Sequence, residues 1–169
     1  MKNIVLIGMP GCGKSTVGVI LAKTLGAEFI DTDLVIQRRE GALLQQLISS
    51  RGLSAFLDAE EAAVRSVHAA GAVIATGGSV VYREGAMEHL GREGVFVYLS
   101  LSYEEMMARL QNIKTRGIAL PPGATMADLY AERIPLYEKY AGLTIPCTGK
   151  TVEETVEEIV EGLKGLERI

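Results

Sequence analysis

Gly8-Met9-Pro10-Gly11-Cys12-Gly13-Lys14-Ser15 fits the spacing G-x-x-x-x-G-K-[ST] at each required position. Glycines at these places let consecutive backbone N–H groups turn inward around phosphate oxygens. Lysine then reaches the β- and γ-phosphates, and the serine hydroxyl is a ligand for Mg²⁺. At ordinary residue frequencies fewer than about one chain in a hundred of this length would match by accident. The residues Gly11, Cys12, Gly13, Lys14, Ser15 and Thr16 are therefore expected to hold the phosphates of a nucleotide. Cys12 occupies a free position of the motif and is read as a small loop residue.

Two further segments carry groups suited to the same chemistry. Asp31 and Asp33 stand two apart. One carboxylate suits a Mg²⁺ ion that keeps several of its waters, and the other suits an acceptor hydroxyl, which it would orient or deprotonate. A helix cap by Asp33 with Asp31 solvated is the plainer alternative, favoured on local sequence and disfavoured beside a phosphate loop. Thr76-Gly77-Gly78-Ser79 either makes a simple turn or brings the backbone close to a ligand.

The elements that would position these segments are read from apolar runs. Ile4 to Ile7 runs straight into Gly8 and reads as a strand buried on both faces. Val17, Ile20, Leu21 and Leu25 follow at helical spacing, with Gly26 as a C-cap. Further strands are expected at Glu28 to Ile30, Ala72 to Ala75, Val95 to Leu99 and Leu143 to Pro146. Helices are expected over Leu34 to Arg51, Ala55 to Ala70, Tyr103 to Gln111 and from Met126, the last interrupted near Pro135. Arg83 to Arg92 reads as a solvated helix, and the capping-box pattern Thr151-x-x-Glu154 opens a final amphipathic one.

Five strands alternating with helices predict an α/β fold, a three-layer parallel sheet flanked by helices. Ligands sit beyond the carboxyl ends of such strands, so Gly8, Asp31 and Gly77 are expected to face one crevice. The 169 residues fit one domain, with core 1–32, 71–111 and 142–169, a substrate-binding segment at 33–70 and a lid at 112–125.

Composition narrows the class. Apolar residues make up 48% of the chain, yet no run approaches the length that spans a bilayer, and no secretory apolar region is present at the start. A cytoplasmic monomer is expected, with no membrane partner. A net charge of −4 argues against nucleic acid as a partner. Two cysteines, Cys12 and Cys147, indicate neither a disulfide framework nor a thiolate metal site, and His68 and His89 show no ligand spacing.

Taken together, Gly8 to Thr16, Asp31-Thr32-Asp33, Gly77-Gly78 and Arg133-x-Pro135-Leu136-Tyr137 resemble, in order, the motifs of the shikimate kinases, a branch of the nucleoside monophosphate kinase-like P-loop group. The resemblance implies a P-loop kinase fold, ATP and Mg²⁺, and a small-molecule hydroxyl acceptor. By that resemblance Ser15 and Asp31 serve the metal, and Lys14, Asp33 and Arg116 are catalytic. Gly77, Gly78, Arg133 and Asp33 bind the acceptor, while Arg109, Arg116 and Thr151 contact the nucleotide.

The pattern departs at Phe56-Leu57-Asp58-Ala59-Glu60, where the family usually has Phe-Arg-Arg-x-Glu, so Leu57 stands in place of an arginine that pairs with the acceptor carboxylate. Either Arg133, assisted by Arg38, Arg39 or Arg65, still binds shikimate, or the pocket takes another hydroxyl compound. An Asp58 near the acceptor would suit an ammonium, as in a hydroxy amino acid, although a solvated Asp58 is the plainer expectation. Arg116-Gly117 replaces the usual Arg-Pro of the lid, and Ser79 a third glycine. A sugar acid or nucleotide acceptor remains a further reading. A non-catalytic nucleotide switch is disfavoured, because Asn-Lys-x-Asp and Asp-x-x-Gly are both missing.

Overall fold

The structure is a computed structural model that describes residues 1–111 and 118–167. β1 (Asn3–Ile7) consists of five buried residues and lies at the centre of a five-stranded sheet. A strand with apolar side chains on both faces must be covered on both faces, which is why this run has no alternation. The sheet order is β2-β3-β1-β4-β5, with β2 at Phe29–Asp31, β3 at Val73–Ala75, β4 at Gly94–Ser100 and β5 at Leu143–Pro146. All pairings are parallel, with Leu6 opposite Ala75 and Asp31 also opposite Ala75. The carboxyl ends of β1, β2 and β3 therefore finish at one edge. Chain order reverses direction on either side of β1, so Gly8 opens at the switch point where such sheets bind ligands.

α1 (Lys14–Leu25) ends on Gly26 in the left-handed region, as the sequence indicates. The expected helix over Leu34 to Arg51 is instead two, α2 (Thr32–Glu40) and α3 (Leu44–Arg51), because Gly41 adopts φ 67° and terminates the first. α4 (Leu53–Arg65) stops five residues short of the expected Ala70, capped at Ser66. With α2 and α3 it encloses a satellite core of Ile36, Leu44, Leu47, Phe56 and Ala63, to which Leu57 and Ala119 add. The main core gathers β1, β3 and β4 with Val17, Leu21, Met87, Met106 and Ile159.

α5 (Glu84–Arg92) is not the solvated helix its charges suggest, since Ala86, Met87 and Leu90 are buried on one side. α6 (Tyr103–Gln111) precedes residues 112–117, which lie outside the described residues. α7 (Met126–Tyr140) runs without a break through Pro135, contrary to the expected interruption. Pro135 and Ala131 are both on the exposed side, so the carbonyl that loses its helical donor faces water. α8 (Val152–Glu167) begins with the predicted box, in which Glu154 N donates to Thr151 Oγ1 at 3.1 Å and Thr151 N to Glu154 Oε2 at 3.3 Å. Among the described residues no helix is long and apolar enough to cross a membrane.

Candidate active site

The loop from Gly8 to Gly13 joins β1 to α1 and ends at Gly13, whose φ of 90° leaves the first turn of α1 without a side-chain cap. Uncapped N–H groups at a helix start favour an anion. Lys14 is folded under the loop, 7% exposed, and its Nζ donates to Gly8 O at 2.7 Å and Met9 O at 2.9 Å. Cys12 is buried beside it, with Sγ 3.6 Å from that Nζ. Thr16, in the same first turn of α1, is exposed.

Asp31 closes β2 and is the N-cap of α2. Its Oδ1 accepts from Asp33 N at 2.9 Å and its Oδ2 accepts from Ser15 Oγ at 2.9 Å. The two aspartates therefore differ as the sequence suggests, but the cap is Asp31 rather than Asp33. Asp33 is left to line the cleft together with Lys14 and Ser15.

Opposite them lie the two glycines that follow β3. A Cβ on Gly77 would fall 2.8 Å from Asp33 Oδ1 and 2.9 Å from Glu60 Oε2, and one on Gly78 would fall 2.9 Å from Arg133 Nη1. A side chain at either position would displace these groups. Arg133 is 1% exposed on the face of α7 that also carries Leu129 and Tyr137. Its Nε donates to Tyr82 Oη at 3.2 Å, its Nη2 donates to Ala119 O at 2.7 Å, and its guanidinium lies over the Tyr82 ring. Tyr137 Oη donates to Gly78 O at 2.6 Å, which fixes the glycine backbone against α7.

Glu60 is the cleft residue that sequence reasoning missed. It is 2% exposed, Ser79 Oγ donates to its Oε1 at 2.8 Å, and Oε2 has no hydrogen-bond partner among the described residues. Burial pushes its carboxyl up to about 7, against the hydrogen bond from Ser79; the charge of Asp33 raises it further, and Arg133 and Arg83 oppose the rise. The signal was present: Phe56, Glu60, Ala63 and Val64 form the buried stripe of α4, so a carboxylate occupies an apolar position of a helix. Ser79, Leu44, Phe56 and Ala119 also line the cleft and were likewise not singled out as ligand contacts.

Asp58 is not at the cleft. Its side chain is 66% exposed and pairs with Arg83 Nη1 at 2.8 Å, so the plainer, solvated expectation holds. Arg38 and Arg39 are exposed and Arg65 pairs with Glu61, so among the described residues none of the three supplies a second guanidinium to the cleft.

Toward the far side of the loop, Arg109 Nη1 donates to Gly11 O at 3.3 Å and Nη2 to Glu105 Oε1 at 2.9 Å. Glu105 Oε2 accepts from Gly149 N at 2.9 Å, which ties α6 to the 147–151 loop that ends at Thr151. Arg109 thus borders one end of the phosphate loop, joined through Glu105 to the loop that leads to Thr151, and the acceptor-side residues border the other. Arg116 lies outside the described residues.

This arrangement, a phosphate loop facing a half-buried polar cleft, can bring a phosphoryl donor and a small hydroxyl compound together. Comparison with known proteins agrees. Residues 10–164 match the family described as shikimate kinase. The shikimate kinase of Thermodesulfovibrio yellowstonii is 39% identical over 164 residues, 95% of this chain and 94% of that protein. The Pseudomonas aeruginosa shikimate kinase is 37% identical over 169 residues, with 98% of each chain covered. A solved shikimate kinase from Acinetobacter baumannii, described in complex with shikimate, superposes with a TM-score of 0.87 at 30% identity over 98% of this chain and 94% of its own. Matched by the family over residues 10–164 and by these relatives over nearly their full length, the chain belongs to the shikimate kinase family of hydroxyl-directed phosphotransferases.

Proposed function

We propose that this chain transfers the γ-phosphoryl group of ATP to a hydroxyl of shikimate. The observation that carries the reading is the meeting of Lys14, Ser15 and Asp33 with Gly77, Gly78 and Arg133 around one cleft. The solved relative with shikimate bound, similar over the same length, supports the acceptor.

The acceptor carboxylate pairs with Arg133 and one of its hydroxyls faces Asp33. That hydroxyl oxygen forms a bond to the γ-phosphorus as the bond from phosphorus to the bridging oxygen breaks, and ADP leaves with the electron pair. Asp33 orients the hydroxyl and takes its proton. The loop N–H groups and Lys14 stabilise charge on the phosphate oxygens, Lys14 exchanging the Gly8 and Met9 carbonyls for them. Because charge spreads over the transferring group, positioning and electrostatics contribute more than proton abstraction.

Ser15 Oγ and Asp31 Oδ2 form a pair of hard oxygen donors 2.9 Å apart at the helix start, which fits Mg²⁺ with its remaining waters. When bound, that ion neutralises phosphate charge. Arg109 and the 147–151 loop cover the adenine.

The reading is tested by assaying shikimate phosphorylation and ATP binding in Lys14→Ala and Asp33→Ala. Both variants are expected to lose transfer, and only Lys14→Ala to lose ATP affinity. Equal loss of ATP affinity in both would overturn the role given to Asp33, and no turnover of shikimate by the wild type would overturn the acceptor.

A further inference from the structure

Glu60 belongs to the cleft lining, and one of its carboxyl oxygens is buried without a hydrogen-bond partner among the described residues. Ser79 holds Oε1, while Oε2 lies 2.9 Å from the point where a Gly77 side chain would begin. An unpaired carboxylate oxygen at 2% exposure is costly, and a ligand that donates to it recovers that cost. The charges on the cleft lining are also uneven. Away from the phosphate-binding Lys14, the described lining carries two carboxylates, Asp33 and Glu60, and one cation, Arg133. An acceptor with a carboxylate alone adds an anion beside these two acidic groups and no cation. An acceptor that also carries an ammonium restores a second positive charge, in a setting where charge-assisted hydrogen bonds are strongest.

Distances select the arrangement of groups on such an acceptor. Asp33 Oδ1 and Glu60 Oε2 both adjoin the same Gly77 point, at 2.8 and 2.9 Å, so they stand within about 6 Å of one another. Two hydrogen bonds of about 2.8 Å bring neighbouring hydroxyl and ammonium groups into contact with both. Arg133 Nη1 adjoins the next residue, Gly78, at 2.9 Å, one step along for a carboxylate. Leu44, Phe56, Ile118 and Ala119 give the carbon skeleton an apolar wall.

We propose that the cleft also takes small hydroxy amino acids as phosphoryl acceptors, with the ammonium on Glu60, the carboxylate on Arg133 and the hydroxyl on Asp33. The inference rests on the assignment of this cleft as the acceptor site. The hydroxyl oxygen bonds to the γ-phosphorus of ATP, the bond to the bridging oxygen breaks, Asp33 receives the proton, and ADP and an O-phosphoamino acid leave.

The test compares L-serine and L-threonine with glycerate, in which a hydroxyl replaces the serine ammonium, and with 3-hydroxypropanoate, which has neither. ADP release is followed with the phosphorylated product identified by mass spectrometry, and shikimate is run in parallel. Serine or threonine is expected to exceed glycerate in kcat/KM by about tenfold or more, and Glu60→Gln to reduce that ratio to about threefold or less. Equal use of serine and glycerate, or no phosphorylation of either amino acid, overturns the proposal. If Glu60→Gln fails to fold by thermal unfolding, the wild-type ratio decides alone. Shikimate turnover without an ammonium preference overturns this inference and leaves the proposed function standing, whereas amino acid turnover without shikimate turnover does the reverse.

Discussion

Asp33 Oδ1 and Glu60 Oε2 face each other across Gly77, 2.8 and 2.9 Å from the place its missing side chain would take. Gly77→Ala therefore pushes both carboxylates aside without touching the phosphate loop. Acceptor kcat/KM is expected to fall by about a hundredfold, the effect of misplacing reacting groups by roughly 1 Å. The dissociation constant for ATP is expected to change by less than about threefold, measured by titration calorimetry.

The burial of Glu60 makes stability depend on pH. Its folded-state pKa of about 7 lies above the ordinary 4.5, so the unfolded chain ionises first. The contribution is complete below about 4.5 and is lost as pH rises through about 7. Glu60→Gln removes the titration. Its stability relative to the wild type is expected to rise across that interval by on the order of 3 kcal/mol and to level off above it, as read from denaturant unfolding at a series of pH values. A constant difference across the interval would contradict the assignment.

Asp31 serves two structural ends at once, the cap on Asp33 N and the bond from Ser15 Oγ. Asp31→Ala is expected to cost about 1 kcal/mol from the lost cap and to weaken Mg²⁺-dependent nucleotide binding. Ser15→Ala is expected to weaken that binding while leaving the cap and most of the stability in place. Thermal unfolding with and without MgATP separates the two effects.

Tyr137→Phe leaves the Gly78 carbonyl without its 2.6 Å donor while the ring stays stacked on Tyr98 at 5.3 Å. A loss of about 1 to 2 kcal/mol in stability is expected. Because the same carbonyl belongs to the residue beside Arg133 Nη1, acceptor KM is expected to rise while ATP affinity is kept.

Much of the frame was legible because parallel strands buried on both faces leave continuous apolar runs. Ile4 to Ile7 ending at Gly8 is the clearest, and its position at the centre of the sheet follows from having no polar side. The inequivalence of Asp31 and Asp33 was legible too, although which of them caps was decided by where β2 ends. Pro135 misled because its cost depends on whether the deprived carbonyl reaches water, a tertiary fact. Glu60 escaped notice in a helix rich in alanine and glutamate: Glu60 and Glu61 are identical in type, and only the helical phase set by Phe56 and Ala63 sends one inward. The charges of α5 hid Met87 and Leu90 in the same way.

One nitrogen of Arg133 is already engaged before any ligand arrives, its Nη2 donating to the Ala119 carbonyl. An acceptor carboxylate that takes up that nitrogen performs an exchange, displacing one oxygen with another. At that nitrogen the affinity gained is the difference between a charged and a neutral partner, not the whole of an ion pair. The vacated carbonyl belongs to the stretch just beyond residue 117, so occupation of the pocket is felt by the chain as the release of a tether.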